Sequence, residues 1–112
     1  MIVEVLFFAD CPNYLPALRN VREALQQEGM AADIRHVEVL DRNMAEAIGF
    51  LGSPTIRIDG IDVEPAARAS TGFGLCCRTY TAGRTAGTPP VDLIRRALCE
   101  RRGHCAEQDC CQ

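Results

Sequence analysis

The sequence predicts a single α/β domain: a mixed four-stranded sheet with helices on both faces, in the order β-α-β-α-β-β-(insert)-α. Three observations carry that prediction. A β-branched and aromatic run, Ile2 to Phe8, leads directly into a stretch of helical periodicity, so the chain opens as β-α-β. An Asp59-Gly60 pair stands between two short apolar runs, which signals a hairpin. Thr88-Pro89 and Gly103 frame a last helix, with proline at its start and glycine past its end.

Residues 2–8 are too short and too β-branched for a helix and are stopped by Asp10-Cys11-Pro12. They read as a strand buried on both faces. A helix follows over about 13–28: Tyr14, Leu18, Val21 and Leu25 recur with the helical period. Pro16 fits only its first turn, and Gly29 stops it. Residues 33–40 alternate, with Val37 and Val39 on one side, and read as a second strand. Asp41 can cap a short helix running through Ile48 and ended by Gly49. Pro54 to Ile58 is the third strand and Ile61 to Val63 its hairpin partner. Residues 65–88 read as an irregular insert, with Gly74 to Tyr80 a candidate short strand inside it. Thr88 is expected to cap the helix Pro89 to Arg102. A first β-α-β unit implies parallel strands with a right-handed crossover, and the hairpin adds antiparallel ones. The domain is expected to span 1–102, followed by a Cys-rich tail over 103–112.

Composition narrows the function classes. The chain has 112 residues, 47% of them hydrophobic and 24% charged, with net charge −3. That supports a core without cross-links, and no block of like charge points to nucleic acid or an anionic membrane as partner. All 12 basic residues are arginine, so a catalytic lysine is excluded. The apolar run Val5 to Ala9 is too short for a signal peptide, and no stretch reaches the ~20 apolar residues of a membrane helix. The expected location is the cytoplasm, where thiols stay reduced. Seven cysteines are an odd number, which argues against a secreted disulfide framework and for reactive or metal-binding thiols.

The motifs Cys11-Pro12-Asn13-Tyr14 and Gly52-Ser53-Pro54-Thr55, set in that element order, resemble the thioredoxin superfamily, glutaredoxins especially. The likeness covers roughly 1–63 and 89–102 and implies a thioredoxin-like fold. It further implies that Cys11 is the nucleophile and Pro54 a cis-proline lying against it. Ser53 and Thr55 would flank a substrate groove, and the Ser53 backbone would be free to pair with an extended thiol substrate such as a peptide or glutathione. Tyr14 stands where the resolving cysteine of a C-x-x-C pair would be, so simple dithiol shuttling between those two positions is excluded. The strings Phe8 to Asn13, Phe50 to Thr55 and Gly74-Leu75-Cys76-Cys77-Arg78-Thr79-Tyr80 look like a group of small bacterial thioredoxin-like proteins often labelled alkylmercury lyase-like.

The thiols carry the candidate chemistry. Cys11 sits at a predicted helix N-terminus, where unpaired N–H groups and the helix dipole favour a thiolate. Asp10 opposes ionisation, and Arg78 or another arginine brought near by the fold would assist it. The plain alternative is a buried structural cysteine. Cys76 and Cys77 have three readings: a second thiol for Cys11, a soft-metal site with it, or core residues of the insert. Cys77 is the better partner because it occupies the Cys-Arg-x-Tyr string of the closer resemblance. If residues 75–79 form a strand, only one of the two faces Cys11. Cys99 falls on the last helix. Cys105, Cys110 and Cys111 lack zinc-finger spacing, although thiolates suit copper(I), zinc or mercury. Tyr14 and Tyr80 could hydrogen-bond a thiolate or a substrate; Tyr14 equally suits the apolar face of its helix. His36 reads as a surface residue.

Four functions compete. The first is thiol–disulfide exchange at Cys11, needing no cofactor, with a protein or glutathione disulfide as substrate and Cys77 or an external thiol resolving. The second is capture of a soft heavy-metal ion by Cys11 with Cys76 or Cys77, assisted by the tail. The third is organomercurial cleavage, with Asp10 as proton donor. The fourth is a non-catalytic module that binds a partner near Pro54.

Overall fold

Eight short elements follow one another in the computed structural model, which describes residues 1–69, Phe73, Gly74, Arg78, Tyr80 and residues 87–102. They are β1 (Ile2–Phe7), α1 (Tyr14–Gln27), β2 (Asp33–Glu38), α2 (Arg42–Ile48), β3 (Thr55–Ile58), β4 (Ile61–Asp62), a 3-10 turn (Pro65–Ala67) and α3 (Val91–Arg102). The sheet order is β2-β1-β3-β4. β1 runs parallel to β2, with Val3 beside Ile34 and Leu6 beside Val37. It runs antiparallel to β3, with Val3 beside Ile58 and Leu6 beside Thr55. β3 and β4 are antiparallel. The protein is thus α/β, with a mixed four-stranded sheet and three α-helices among the described residues. None of those helices is long and apolar enough to cross a membrane.

Strand periodicity sorts the core into two layers. Val3 and Val5 of β1, with Ile56 and Ile58 of β3, meet Leu18, Val21 and Leu25 of α1 and Leu93, Ile94 and Leu98 of α3. Leu6 points the other way and packs with Val39, Ala45 and Phe50 beneath α2. The expectation that β1 is buried on both faces holds only at its Leu6 end, because Ile2 and Glu4 are half-buried. A helix of seven residues reaches only about 10 Å, roughly half the length of a six-residue strand.

Local signals act where the chain is punctuated. The Asp41 carboxylate accepts the Met44 N–H at 2.8 Å, and Gly49 ends α2 in the left-handed region at φ 69°. Asp59 and Gly60 both have positive φ, 51° and 85°, as a two-residue hairpin turn between right-twisted strands requires. The Asp59 side chain also accepts the Ile2 N–H at 2.9 Å and faces Arg101 of α3 at 3.4 Å. The Ile2 N–H, aided by Arg101, holds this carboxyl below its ordinary range.

The start of the last helix differs from expectation. α3 begins at Val91, and the Leu93 and Ile94 N–H groups bond to Pro90 O. Thr88 and Pro89 each precede a proline, whose ring disfavours helical backbone in the residue before it. The Thr88 hydroxyl instead donates to Asn13 Oδ1 at 3.2 Å and joins the beginnings of α1 and α3. Expected residues 103–112 lie outside the described residues, as does most of the candidate strand Gly74 to Tyr80.

Two outcomes follow from these joints. A methyl group at Gly87 would collide with the Asn13 side-chain amide, which must then leave Thr88, a loss of about 1 kcal/mol. Urea denaturation should show that cost for Gly87→Ala in the native background and almost none in an Asn13→Ala background. Because the folded-state pKa of Asp59 is depressed, its contribution is present above the ordinary carboxylate range and fades as pH falls through the folded value. Thermal melts of the protein and of Asp59→Asn should therefore differ at neutral pH and converge in strong acid.

Candidate functional site

Cys11 lies in the turn that carries the chain from β1 to α1. Asp10, just before it, has φ 66°, a left-handed conformation that Asp tolerates better than most side chains. The turn closes on itself: Cys11 N–H bonds to Phe8 O at 3.4 Å, and Tyr14 N–H bonds to Cys11 O at 3.3 Å. Cys11 is half-exposed and is a free thiol. Asn13 stands in the N-cap position but makes no side-chain cap, since its amide oxygen is engaged by Thr88.

The second motif is set beside this turn by strand register. Leu6 opposes Thr55, so the chain just before β3 runs back past Phe8, and Phe8 N–H donates to Ser53 Oγ at 3.3 Å. The Ser53–Pro54 peptide bond is cis. Ser53, Pro54 and Thr55 are all buried. The Thr55 hydroxyl donates to Gly52 O at 2.6 Å and accepts from Arg78 Nη1 at 3.1 Å, so both of its hydrogen-bonding roles are met inside the protein. The Ser53 carbonyl, expected to be open to an extended substrate, accepts the Arg78 N–H at 3.0 Å.

Arg78 is the centre of a buried polar cluster. Its guanidinium grips Asp62 with a two-pronged fork, Nη1–Oδ2 at 2.6 Å and Nη2–Oδ1 at 2.8 Å, and reaches Glu64 Oε1 at 3.4 Å. Arg78, Asp62 and Glu64 are each less than a tenth exposed. Burial works against the guanidinium's charge, but the Asp62 hydrogen bonds and the surrounding negative charge outweigh it and hold the pKa above the ordinary arginine value. The charge expected to assist Cys11 is instead paired with Asp62 and Glu64. The Tyr80 ring lies 4.4 Å from the Arg78 guanidinium carbon, within cation–π range. The Tyr80 hydroxyl donates to Pro54 O at 2.5 Å. Burial raises the pKa of this hydroxyl well above the usual tyrosine range; Cys11 is near enough to add to the rise.

Tyr14 is directed elsewhere. Its ring stacks on Phe7 with centroids 4.0 Å apart, and its hydroxyl meets His36 Nδ1 at 2.5 Å. His36 is exposed, as expected, and opposes Val5 on β1.

Of the remaining candidate thiols, Cys99 is fully buried on α3, is disulfide-bonded, and has its sulfur 3.4 Å from Glu28 Oε1. Cys76, Cys77, Cys105, Cys110 and Cys111 lie outside the described residues. Among the described residues, no group of three or more His, Cys, Asp or Glu side chains could hold a metal ion. The pairing of Arg78 with Asp62 and Glu64 was not read from the sequence. One signal was present: two acids at i and i+2 after a hairpin turn share a face of an extended chain.

No protein-family model, curated protein or solved structure matches the chain.

Removing one partner of a buried ion pair leaves the other charge unpaired, at a cost of about 3–5 kcal/mol. Arg78→Met should lower the urea midpoint accordingly. Arg78→Lys should recover only part of the loss, because an ammonium cannot reproduce the planar fork on Asp62.

Proposed function

We propose that this chain is a thioredoxin-like thiol–disulfide oxidoreductase, with Cys11 as nucleophile and Cys77 as second thiol. One observation carries the reading: the Arg78 N–H sits on the Ser53 carbonyl, at the segment that packs beside the Cys11 turn. Cys77 immediately precedes Arg78 in the sequence. The sheet order, with α1 and α3 over one face and α2 over the other, agrees with a thioredoxin-like topology.

The chemistry balances without a cofactor. Cys11 loses its proton to solvent at its exposed side, and the thiolate attacks one sulfur of a substrate disulfide. A Cys11–substrate disulfide forms while the other half leaves as a thiolate and is protonated. The Cys77 thiolate then attacks Cys11 Sγ and releases the second substrate thiol. The protein ends oxidised as a Cys11–Cys77 disulfide, and the substrate is reduced by two electrons. Two equivalents of an external thiol, for which glutathione is the candidate co-substrate, restore the dithiol and leave as their own disulfide. Capture of a soft metal ion draws on the same thiols, and no contact among the described residues favours it.

The two cysteines should fail differently. Cys11→Ser should abolish reduction of bis(2-hydroxyethyl) disulfide. Cys77→Ser should still form the first covalent adduct and accumulate it on Cys11, visible by intact mass and peptide mapping. Cys76→Ser should do neither. Full activity in Cys11→Ser would overturn the reading, and full turnover without adduct in Cys77→Ser would remove Cys77 from it.

A further inference from the structure

The segment from Phe50 to Pro54, which reaches the Cys11 turn through Ser53 Oγ on Phe8 N–H, is already occupied by the protein's own later residues. Gly74 N–H donates to Phe50 O at 3.1 Å and Arg78 N–H to Ser53 O at 3.0 Å. The Tyr80 hydroxyl takes Pro54 O. With the Thr55 hydroxyl on Gly52 O, four carbonyls within the short segment from Phe50 to Pro54 therefore have intrachain donors. The occupation is anchored, because the same Arg78 is clamped by Asp62 and Glu64. An extended polypeptide recognised by strand addition gains its affinity from main-chain hydrogen bonds of this kind.

Another side of the turn is shaped differently. Phe8, Ala9, Glu38, Val39 and Leu40 line a recess of about 330 Å³, which comes within two residues of Cys11 along the chain. That is the lower end of the size range of small-molecule sites. Leu40 contributes an exposed apolar wall, 71% accessible.

We propose, resting on the disulfide-exchange reading above, that Cys11 acts on compact low-molecular-weight disulfides and discriminates against disulfides embedded in an extended polypeptide. Arg78 and Tyr80 fill backbone positions that such a polypeptide would need, and the recess beside Ala9 accepts the body of a small substrate. The covalent step is the exchange already given: one substrate sulfur joins Cys11 and the other leaves as a thiol.

The test uses the full chain, reduced, with one activated disulfide in two settings. A 2-pyridyl disulfide is mounted on N-acetylcysteamine and, separately, on the central cysteine of an extended peptide. Release of 2-thiopyridone is followed for each probe, the Cys11→Ser rate is subtracted, and both are normalised to their reaction with free glutathione. The small probe should be favoured about ten-fold or more, the worth of a forfeited main-chain hydrogen bond or two. Tyr80→Phe, which removes the donor on Pro54 O, should narrow that ratio. Equal normalised rates, or a faster peptide, would overturn the substrate preference and leave the exchange reading standing. No Cys11-dependent release from either probe would overturn both.

Discussion

Among the described residues one arginine, Arg78, is buried, and the polar contacts around the Ser53-Pro54-Thr55 segment depend on it. Carrying a guanidinium and two carboxylates out of water costs several kcal/mol per ion unless geometry and hydrogen bonding repay it. Here the repayment is visible: a fork on Asp62, a contact to Glu64, a hydroxyl from Thr55 and the face of Tyr80. The cluster ties the link that carries Arg78 and Tyr80 to β3 and β4, which the sheet ladder already pairs. Through Arg78 N–H it also closes the Ser53 carbonyl.

The Ser53-Pro54-Thr55 segment that Arg78 fixes packs beside the Cys11 turn. The Cys11 turn is built from local bonds, Phe8 O to Cys11 N–H and Cys11 O to Tyr14 N–H. Its surroundings are built from distant residues: Ser53 Oγ on Phe8 N–H, Tyr80 on Pro54, and Thr88 on Asn13. A thiol exposed on a turn is chemically unspecific by itself. Among the polar groups nearby, the Ser53 and Pro54 carbonyls are already satisfied, by Arg78 N–H and the Tyr80 hydroxyl.

Much of the fold was legible from the chain itself. Asp41 and Gly49 bounded α2, Gly29 followed α1, and Asp59-Gly60 turned the hairpin, because each acts through its own backbone and nearest neighbours. The position of Cys11 after the first strand and of Ser53-Pro54-Thr55 before the third were equally plain. Less legible were the uses of side chains that act over long separations. Thr88 had the composition of a cap, yet its hydroxyl serves Asn13, 75 residues away in sequence. Tyr14 fitted an apolar stripe, and only the stacking on Phe7 and the His36 contact reveal where its hydroxyl goes.

The sequence by itself determined the element order, the turn chemistry and the candidacy of Cys11, since propensity, capping and hydrophobic period are local properties. Tertiary structure alone decided that Arg78 belongs to Asp62 and Glu64 and that the Ser53 carbonyl is filled from within. Those outcomes depend on which charges become buried together. A buried charge takes whatever partner the fold brings within a few ångströms, and no spacing along the chain announces that choice.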